Sequence, residues 1–312
     1  MAETNAQSEL MQQMMKAMSS GAVPTDIPSL RKMMNEFSPL LNSDPPKIGA
    51  VHEDVLIREV GGARVTADVL VPDRSGPHPV LVYLHGGGWV AGSPRTHRKL
   101  GLRFAEAGYL VVNVDYRLSP EAPFPGPFED CVFAVRWASE NAARFGGDPR
   151  RLAIGGDSAG GNLSAAVAAH LSGVAGEPVI RAALLIYGCF DFEALAASDP
   201  DIGAGDPALQ RALRDAMIHA YLGQAPDRAR LRDPRVSPIH GAAKLPPSFL
   251  VVGTADSLLP QQRALAAELE RAGVTHENVI VDGMPHGFVQ YEFLPPAVDA
   301  IRRMTAFLGR HL

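Results

Sequence analysis

A serine framed by glycines is the strongest chemical signal in the sequence. It stands in the run Gly156-Asp157-Ser158-Ala159-Gly160, a G-x-S-x-G pattern. An apolar run ending at residue 154 precedes it, and a run of small residues with helical character follows it. In this strand–turn–helix context, glycines allow the sharp turn that projects a serine side chain, and the helix N-terminus favours negative charge. The pattern therefore predicts that Ser158 is a nucleophile.

A second run of glycines follows an earlier apolar segment. His85-Gly86-Gly87-Gly88-Trp89 comes directly after residues 79–84. Consecutive glycines expose backbone N–H groups, and one such donor to an oxyanion is worth roughly 2.7–4 kcal/mol in a known case. We expect His85 to hold this loop by hydrogen bonding rather than to act as a base. The glycines also match the dinucleotide-binding pattern G-x-G-x-x-A, but Gly92-Ser93-Pro94 would delay the helix that this pattern requires.

A nucleophilic serine needs a base and an acid that orients the base. Among the ten histidines, His286 is the one that follows a late apolar run and stands in a turn. Asp256 follows another such run, which makes the chain order Ser158, Asp256, His286, as expected for an α/β-hydrolase triad. Asp282, four residues before His286, is the competing acid. No cluster with metal-ligand spacing occurs in the sequence, and triad chemistry needs no cofactor.

The elements that must position these residues alternate regularly. Two segments of strand character, 51–60 and 63–71, flank the hairpin signal Gly61-Gly62. Six later apolar runs read as strands covered on both faces, at residues 79–84, 110–114, 152–154, 182–187, 249–252 and 279–281. Helical patterns lie between or after them, at residues 98–107, 129–145, 158–171, 260–272 and 297–312. This order predicts an α/β fold with a mostly parallel, eight-stranded sheet and helices on both faces.

Two segments stand outside this alternation. The first 45 residues read as two helices: a methionine-rich one around residues 10–18 and a second one capped by Asp26. A later insertion includes a helical stretch at residues 207–222. The predicted domains are therefore an α/β core, residues 46–190 and 236–312, and a helical cap, residues 1–45 and 191–235.

Composition limits the remaining classes of function. The 312 residues are 46% hydrophobic and 20% charged, with a net charge of −5, which indicates a globular chain rather than a disordered one. No basic face is evident, which argues against nucleic-acid binding. No apolar run is long enough for a membrane span, and the polar N-terminus is unlike a signal peptide, so we expect a cytoplasmic protein. Cys131 and Cys189 are expected to be reduced and buried, and a homodimer is one option for the assembly, which the sequence leaves open.

These motifs and their order resemble those of the hormone-sensitive-lipase-like family of bacterial esterases. The resemblance runs from about Pro79 to the C-terminus and rests on the glycine loop, the serine motif, the acid and base motifs, and the connector Asp115-Tyr116-Arg117-Leu118-Ser119-Pro120-Glu121. It implies an oxyanion hole formed by the amides of Gly87, Gly88 and Ala159, with Gly86 as a further candidate. It also implies a helical cap over the site. The sequence departs from the family pattern at Pro260, where a second acidic residue is usual, and at Gly188, where the family has proline.

The resemblance implies a serine carboxylesterase that hydrolyses short- to medium-chain acyl esters of small molecules. Trp89, Asp157 and Phe288 lie next to the motifs and are candidates for the substrate pocket. Two alternatives stay open. The same triad could hydrolyse amides, carbamates or formyl groups, or the fold could serve as a noncatalytic small-molecule receptor. Receptors of this family replace the catalytic histidine, whereas this chain has His286.

Overall fold

Eight strands form one sheet in the computed structural model, which describes residues 24, 26–198 and 207–312. They are β1 (Ala50–Val60), β2 (Ala63–Val71), β3 (His78–Leu84), β4 (Leu110–Asp115), β5 (Gly147–Asp157), β6 (Ile180–Ile186), β7 (Ser248–Ala255) and β8 (His276–Pro285). The strand order is β1-β2-β4-β3-β5-β6-β7-β8. The pairs β1–β2 and β2–β4 are antiparallel, and all other neighbours are parallel. The mostly parallel, eight-stranded α/β sheet predicted from the sequence is therefore confirmed.

Helices cover both faces of this sheet. Those in the described part of the chain are α1 (Ile27–Leu41), α2 (Arg98–Glu106), α3 (Gly126–Asn141), α4 (Ala159–Leu171), α5 (Phe192–Ala197), α6 (Pro207–Leu222), α7 (Arg228–Leu231), α8 (Leu259–Arg271) and α9 (Pro295–His311). Shorter 3₁₀ helices span Ala142–Phe145, Pro238–Lys244 and Phe288–Gln290. Buried side chains of α3, α4 and α8 form one core layer, and those of α2 and α9 form the other. This double cover explains why the central strands are apolar on both faces.

The element boundaries differ from the expected ones where polar residues extend a strand or where helix geometry changes. β5 begins at Gly147, five residues before the apolar run, because its polar start pairs with β3 through a register irregularity. The helix expected at residues 129–145 begins earlier, at Gly126, and its last turn tightens into 3₁₀ geometry. The loop after β3 runs to Arg98 before a helix begins, which confirms the expected delay.

The described parts of the segments predicted as a cap contain the helices α1, α5, α6 and α7. Asp26 caps α1 as predicted, because its Oδ1 accepts a hydrogen bond of 2.8 Å from the Ser29 amide. Helices α1 and α6 contact one another. The methionine-rich helix around residues 10–18 lies outside the described residues, and so do residues 199–206 of the insertion.

Two further expectations concern single residues and membrane spans. Cys131 and Cys189 are free and buried, as predicted. Burial raises the pKa of both thiols, so they remain protonated, small apolar groups in the core. Among the described residues, no helix is both long enough and apolar enough to cross a membrane.

Candidate active site

Ser158 occupies the tip of a strained turn between β5 and α4. Its backbone has φ 54° and ψ −116°, a conformation that residues other than glycine rarely adopt. A side chain on Gly156 or Gly160 would collide with the carbonyl oxygen of Leu84, so only glycine allows the turn to close there. The Ser158 amide donates to the Ile186 carbonyl at 2.8 Å and so anchors the turn on β6. These restraints project the Ser158 side chain from the carboxyl edge of the sheet.

The structure brings Ser158, His286 and Asp256 together in one hydrogen-bonded row. Ser158 Oγ lies 2.9 Å from His286 Nε2, and His286 Nδ1 lies 2.8 Å from Asp256 Oδ2. The other carboxylate oxygen, Asp256 Oδ1, accepts the Leu258 amide at 2.8 Å. Asp256 is completely buried, whereas 42% of the His286 side-chain surface is exposed among the described residues. The row therefore runs from a buried carboxylate to an accessible hydroxyl.

The surroundings of His286 favour its protonated form. Withdrawal from water lowers the pKa of His286, but the charge of Asp256 and the hydrogen bond to it act in the opposite direction. Their sum, with a contribution from the Asp157 carboxylate, leaves the pKa of His286 above its ordinary value of 6.5. The Tyr187 ring packs edge-on against the imidazole at 4.9 Å and limits its rotation. The site is thus arranged to stabilise an imidazolium that forms during a proton transfer.

Asp282, the competing acid, bonds to a residue of the neighbouring strand, and Pro260, the departure from the family pattern, lies in the first turn of α8. Asp282 Oδ1 accepts a hydrogen bond of 3.0 Å from Thr254 Oγ1. Pro260 is the second residue of α8, a position where a missing N–H breaks no helical hydrogen bond. Beside it, the Gln261 side-chain oxygen accepts the Asp191 amide at 2.7 Å. Gln261 thereby ties the first turn of α8, which follows the loop with Asp256, to the start of the inserted segment.

The glycine loop after β3 contains the backbone amides that are candidates for the oxyanion hole. Gly87 and Gly88 have φ values of 128° and 62°, which glycine adopts without strain. In the part of the chain that the structure describes, the amides of Gly87, Gly88 and Ala159 make no hydrogen bond. The Gly86 amide, expected as a further donor, instead donates to Asp157 Oδ1 at 3.1 Å. This loop can therefore offer free donors from Gly87 and Gly88.

His85 stabilises the loop from below. Its Nδ1 lies 2.9 Å from the Gly86 carbonyl oxygen, which confirms the predicted hydrogen bond. The imidazole stacks on the Tyr116 ring at 4.3 Å, and the Tyr116 hydroxyl donates to the His85 carbonyl at 2.6 Å. Complete burial lowers the pKa of His85 to about 3, so the ring is neutral and Nδ1 can donate. His85 thus acts on loop conformation.

The three candidate pocket residues are all buried. Trp89 is 4% exposed, Asp157 2% and Phe288 0%. Trp89 stacks on Tyr221 of α6 at 5.0 Å, and Phe288 lies 6.0 Å from the Tyr187 ring. Among the described residues, these three side chains therefore pack below the surface of the candidate site.

Two residues, Met217 and Asn162, connect the motifs of the site to segments that are distant in the sequence, and sequence analysis missed these contacts. A side chain on Gly88 would collide with Sδ of Met217, so this methionine of α6 lies against the glycine loop. Asn162 donates to the carbonyls of Cys189 and Val236 at 2.8 Å each and accepts from Trp89 Nε1 at 3.3 Å. Asn162 belongs to the serine motif, but its partners come from distant segments. No local pattern marks Met217.

The described residues contain no group of three or more histidine, cysteine, aspartate or glutamate side chains that could hold a metal ion.

Residues 81–290 match the family model of the alpha/beta hydrolase fold. The chain belongs to this family. Within it, the resemblance to the hormone-sensitive-lipase-like esterases is confirmed. The match includes the glycine loop, the serine turn, Asp256 and His286 and ends at Gln290.

Several α/β hydrolases with names that state an activity are similar to this chain. Carboxylesterase NlhH of Mycobacterium tuberculosis is 37% identical over 238 residues, which cover 75% of this chain and 74% of that protein. Ethyl acetate hydrolase of Pseudomonas putida is 33% identical over 236 residues, covering 74% of this chain and 73% of that protein. The solved esterase of Pyrobaculum calidifontis has a TM-score of 0.80 and 31% identity, covering 91% of this chain and 92% of the other. An ester hydrolase from the metagenome of Lake Arreo, solved with a bipyridine phosphonate derivative, has a TM-score of 0.82 and 31% identity, covering 98% of both chains.

Proposed function

We propose that this protein is a carboxylic ester hydrolase in which Ser158 is the nucleophile. The observation that carries the proposal is the 2.9 Å contact between Ser158 Oγ and His286 Nε2, with Asp256 bound to the opposite ring nitrogen. A serine hydroxyl is a weak nucleophile until an adjacent base accepts its proton. The names of the similar proteins, carboxylesterase and ethyl acetate hydrolase, support an ester as the substrate.

The reaction follows from the positions of these groups. Ser158 Oγ attacks the ester carbonyl carbon while its proton moves to His286 Nε2, and Asp256 stabilises the imidazolium. The amides of Gly87, Gly88 and Ala159 bind the oxyanion. His286 then gives the proton to the departing alcohol, which leaves an acyl group on Ser158. Water, deprotonated by His286, attacks that acyl group and releases the carboxylic acid.

The proposed substrates are small esters with short- to medium-chain acyl groups. Met217 occupies space against Gly88, next to the proposed oxyanion hole. The contact between α1 and α6 supports our proposal that residues 1–45 and 191–235 form a cap over an α/β core of residues 46–190 and 236–312. A cap of this kind limits the length of the acyl chain that the pocket accepts.

The buried candidates Trp89, Asp157 and Phe288 have a supporting role in this proposal. Trp89 joins the glycine loop to α6 through its stacking on Tyr221. Asp157 holds the Gly86 amide, so Gly86 shapes the loop and does not donate to the oxyanion. Phe288 fixes the turn that follows His286 through its packing in the core.

Two alternative functions are distinguished from ester hydrolysis by different observations. Hydrolysis of amides, carbamates or formyl groups would use the same three residues, and the acyl derivative turned over distinguishes it. A noncatalytic receptor would need no base on the serine. The contact of His286 with both Ser158 and Asp256 favours catalysis.

The test of the proposed function is turnover of p-nitrophenyl butyrate by the wild type, Ser158→Ala and Ser172→Ala. Ser172 is an exposed serine at the other end of α4 and serves as the matched control. We expect Ser158→Ala to lose a factor on the order of 10⁴–10⁶ in kcat, as in other serine triads. Ser172→Ala and overnight treatment with EDTA should leave kcat unchanged. Wild-type turnover by Ser158→Ala, or a loss in EDTA that Zn²⁺ restores, would refute the mechanism.

The homodimer and the cytoplasmic location remain predictions. Light scattering coupled to gel filtration measures the mass of the particle against the chain mass of 33.2 kDa. Cell fractionation measures the location.

A further inference from the structure

A buried pair of ionisable side chains, His97 and Asp157, lies next to the candidate active site. His97 Nε2 lies 3.2 Å from Asp157 Oδ2, and the two side chains are 1% and 3% exposed. Neither residue is part of the proposed proton transfer. A carboxylate placed so deeply needs hydrogen bonds or an opposite charge, because its removal from water is unfavourable unless they replace its hydration. The partners of Asp157 therefore show what this pair does.

Two segments next to the site, the glycine loop and β3, donate hydrogen bonds to the Asp157 carboxylate. Its Oδ1 accepts the Gly86 amide of the glycine loop at 3.1 Å and the Tyr83 hydroxyl of β3 at 2.8 Å. Asp157 itself immediately precedes Ser158 in the nucleophile turn. One carboxylate therefore connects the loop with the proposed oxyanion donors to the turn that carries the nucleophile.

His97 connects this carboxylate to a third segment, the turn that follows His286. The side-chain amide nitrogen of Gln290 lies 2.9 Å from His97 Nε2 and donates to Asp157 Oδ2 at 3.5 Å. Gln290 is four residues after His286 and ends the 3₁₀ helix Phe288–Gln290. The imidazole of His97 also lies 3.3 Å from the Gly86 amide nitrogen. The ring thus stands where the glycine loop, the nucleophile turn and the histidine turn meet.

The other side of the His97 ring is held as well. Its Nδ1 lies 2.8 Å from Thr96 Oγ1, and this hydroxyl also bonds to the Ser93 backbone through its amide and carbonyl at 2.9 Å each. The Thr96 hydroxyl donates its proton to the Ser93 carbonyl, so at His97 it accepts from Nδ1–H, and Nε2 faces the Gly86 amide and the Asp157 carboxylate. The orientation of His97 is therefore determined from both edges of the ring.

We propose that His97 is a positioning residue for ester hydrolysis, which keeps the glycine loop, Ser158 and His286 in a productive arrangement through Asp157 and Gln290. The inference rests on the proposed function. This proposed role differs from packing alone, because an apolar ring of the same size would fill the space but lack the ring nitrogen that contacts Asp157, the Gly86 amide and Gln290. Small displacements of oxyanion donors are costly, since the loss of one donor lowers kcat by roughly 10²–10³.

The experiment compares His97→Phe and His97→Gln with His78→Gln. His78 is a buried histidine, 4% exposed, at the opposite end of β3, and it is the matched control. His97→Gln keeps an amide N–H near the place of Nε2, whereas His97→Phe keeps only volume. The readouts are kcat and KM for p-nitrophenyl butyrate per active site, titrated with a serine-reactive phosphonate, and the Ki of a trifluoromethyl ketone. The ketone forms a tetrahedral adduct that needs the oxyanion donors.

We expect His97→Phe to lose about 100-fold in kcat per titrated site, with KM within about twofold of the wild type. The Ki of the ketone should rise by a similar factor. His97→Gln should recover about tenfold of this loss, and His78→Gln should match the wild type. An unchanged kcat per titrated site in His97→Phe, or a loss confined to KM, would overturn the proposal.

A variant that does not fold is recognised by circular dichroism and by the absence of titratable sites. In that case Gln290→Leu tests the proposal, because Gln290 contacts His97 but is only half-buried. It should lose about tenfold in kcat with KM unchanged, and wild-type kcat in Gln290→Leu and His97→Gln together would overturn the proposal. Failure of the proposed function is distinguished because the wild type itself would then neither turn over esters nor react with the phosphonate.

Discussion

His286 Nδ1 lies 2.8 Å from Asp256 Oδ2, although Asp282 is far closer to His286 along the chain. Asp282 instead accepts a hydrogen bond from Thr254 Oγ1 at 3.0 Å. Asp256 directly follows β7 whereas Asp282 lies within β8, and among the described residues only Asp256 is both fully buried and bonded to the imidazole. This relationship assigns the two acids different roles.

Asp256→Asn should lose far more activity than Asp282→Asn. An asparagine at the acid position favours the wrong imidazole tautomer, which lowers kcat by roughly 10⁴ in one serine protease. Asp282→Asn is the matched control and should stay within about twofold of the wild type in kcat/KM for p-nitrophenyl butyrate. The assignment of the acid is wrong if Asp282→Asn proves the more damaging change.

The pH dependence of kcat/KM should show an acid limb that lies above the ordinary histidine range. The base must be neutral to accept the Ser158 proton, so activity falls as the pH drops through the pKa of His286. Because Asp256 raises the pKa of His286 above 6.5, half of the activity is lost at a pH higher than 6.5. Removal of the Asp256 charge should move the titration of His286 to lower pH. An NMR titration of the imidazole in the wild type and in Asp256→Asn measures both, and a midpoint below 6.5 in the wild type would contradict the prediction.

Met217→Ala should shift the acyl-chain preference toward longer esters. The substitution removes Sδ and the terminal methyl group from the space against Gly88. Each additional methylene that becomes buried contributes about 0.8 kcal/mol, or about fourfold in kcat/KM. The ratio of kcat/KM for octanoate to that for acetate should therefore rise by about tenfold. His219→Ala, an exposed change on the same helix, is the control, and identical chain-length profiles for the two variants would exclude Met217 from the pocket.

Arg31→Ala should loosen α1 from the core. Arg31 Nε donates to the Val90 carbonyl at 2.6 Å, and its guanidinium also binds the Ser119 carbonyl at 3.0 Å and the Glu121 carboxylate at 2.7 Å. Because this side chain is one-third exposed, we expect a loss of only about 1–2 kcal/mol, or a fall in Tm of a few degrees. KM for hexanoate should rise more than KM for acetate, since α1 contacts α6.

The control for Arg31→Ala is Lys32→Ala, which changes an adjacent cation that is 75% exposed. Its Tm and both KM values should equal those of the wild type. If Arg31→Ala and Lys32→Ala behave alike, α1 is held by other contacts and does not shape the pocket.

The sequence by itself determined the sheet and the identity of the chemical groups. Apolar runs predict β3, β4 and the other central strands because both faces of these strands are covered, a requirement that leaves a local signal. The glycines around Ser158 are equally local, since the turn that they allow closes within five residues. Where polar residues begin a strand, as in β5, this signal is absent and the predicted boundary is wrong.

Tertiary structure alone decided which groups meet. The chain order favoured Asp256 over Asp282, but the contact that distinguishes them joins Asp256 to His286 across 30 residues and is seen only in the folded chain. His97 and Gln290 reach Asp157 from positions 60 and 133 residues away. Local sequence encodes the conformation of neighbouring residues, whereas contacts across such separations arise from the strand order β4-β3-β5 and the packing of loops at one edge. Ser158, Asp256 and His286 could therefore be found from their motifs, whereas His97 and Gln290 could not, because their contacts with Asp157 exist only in the folded chain.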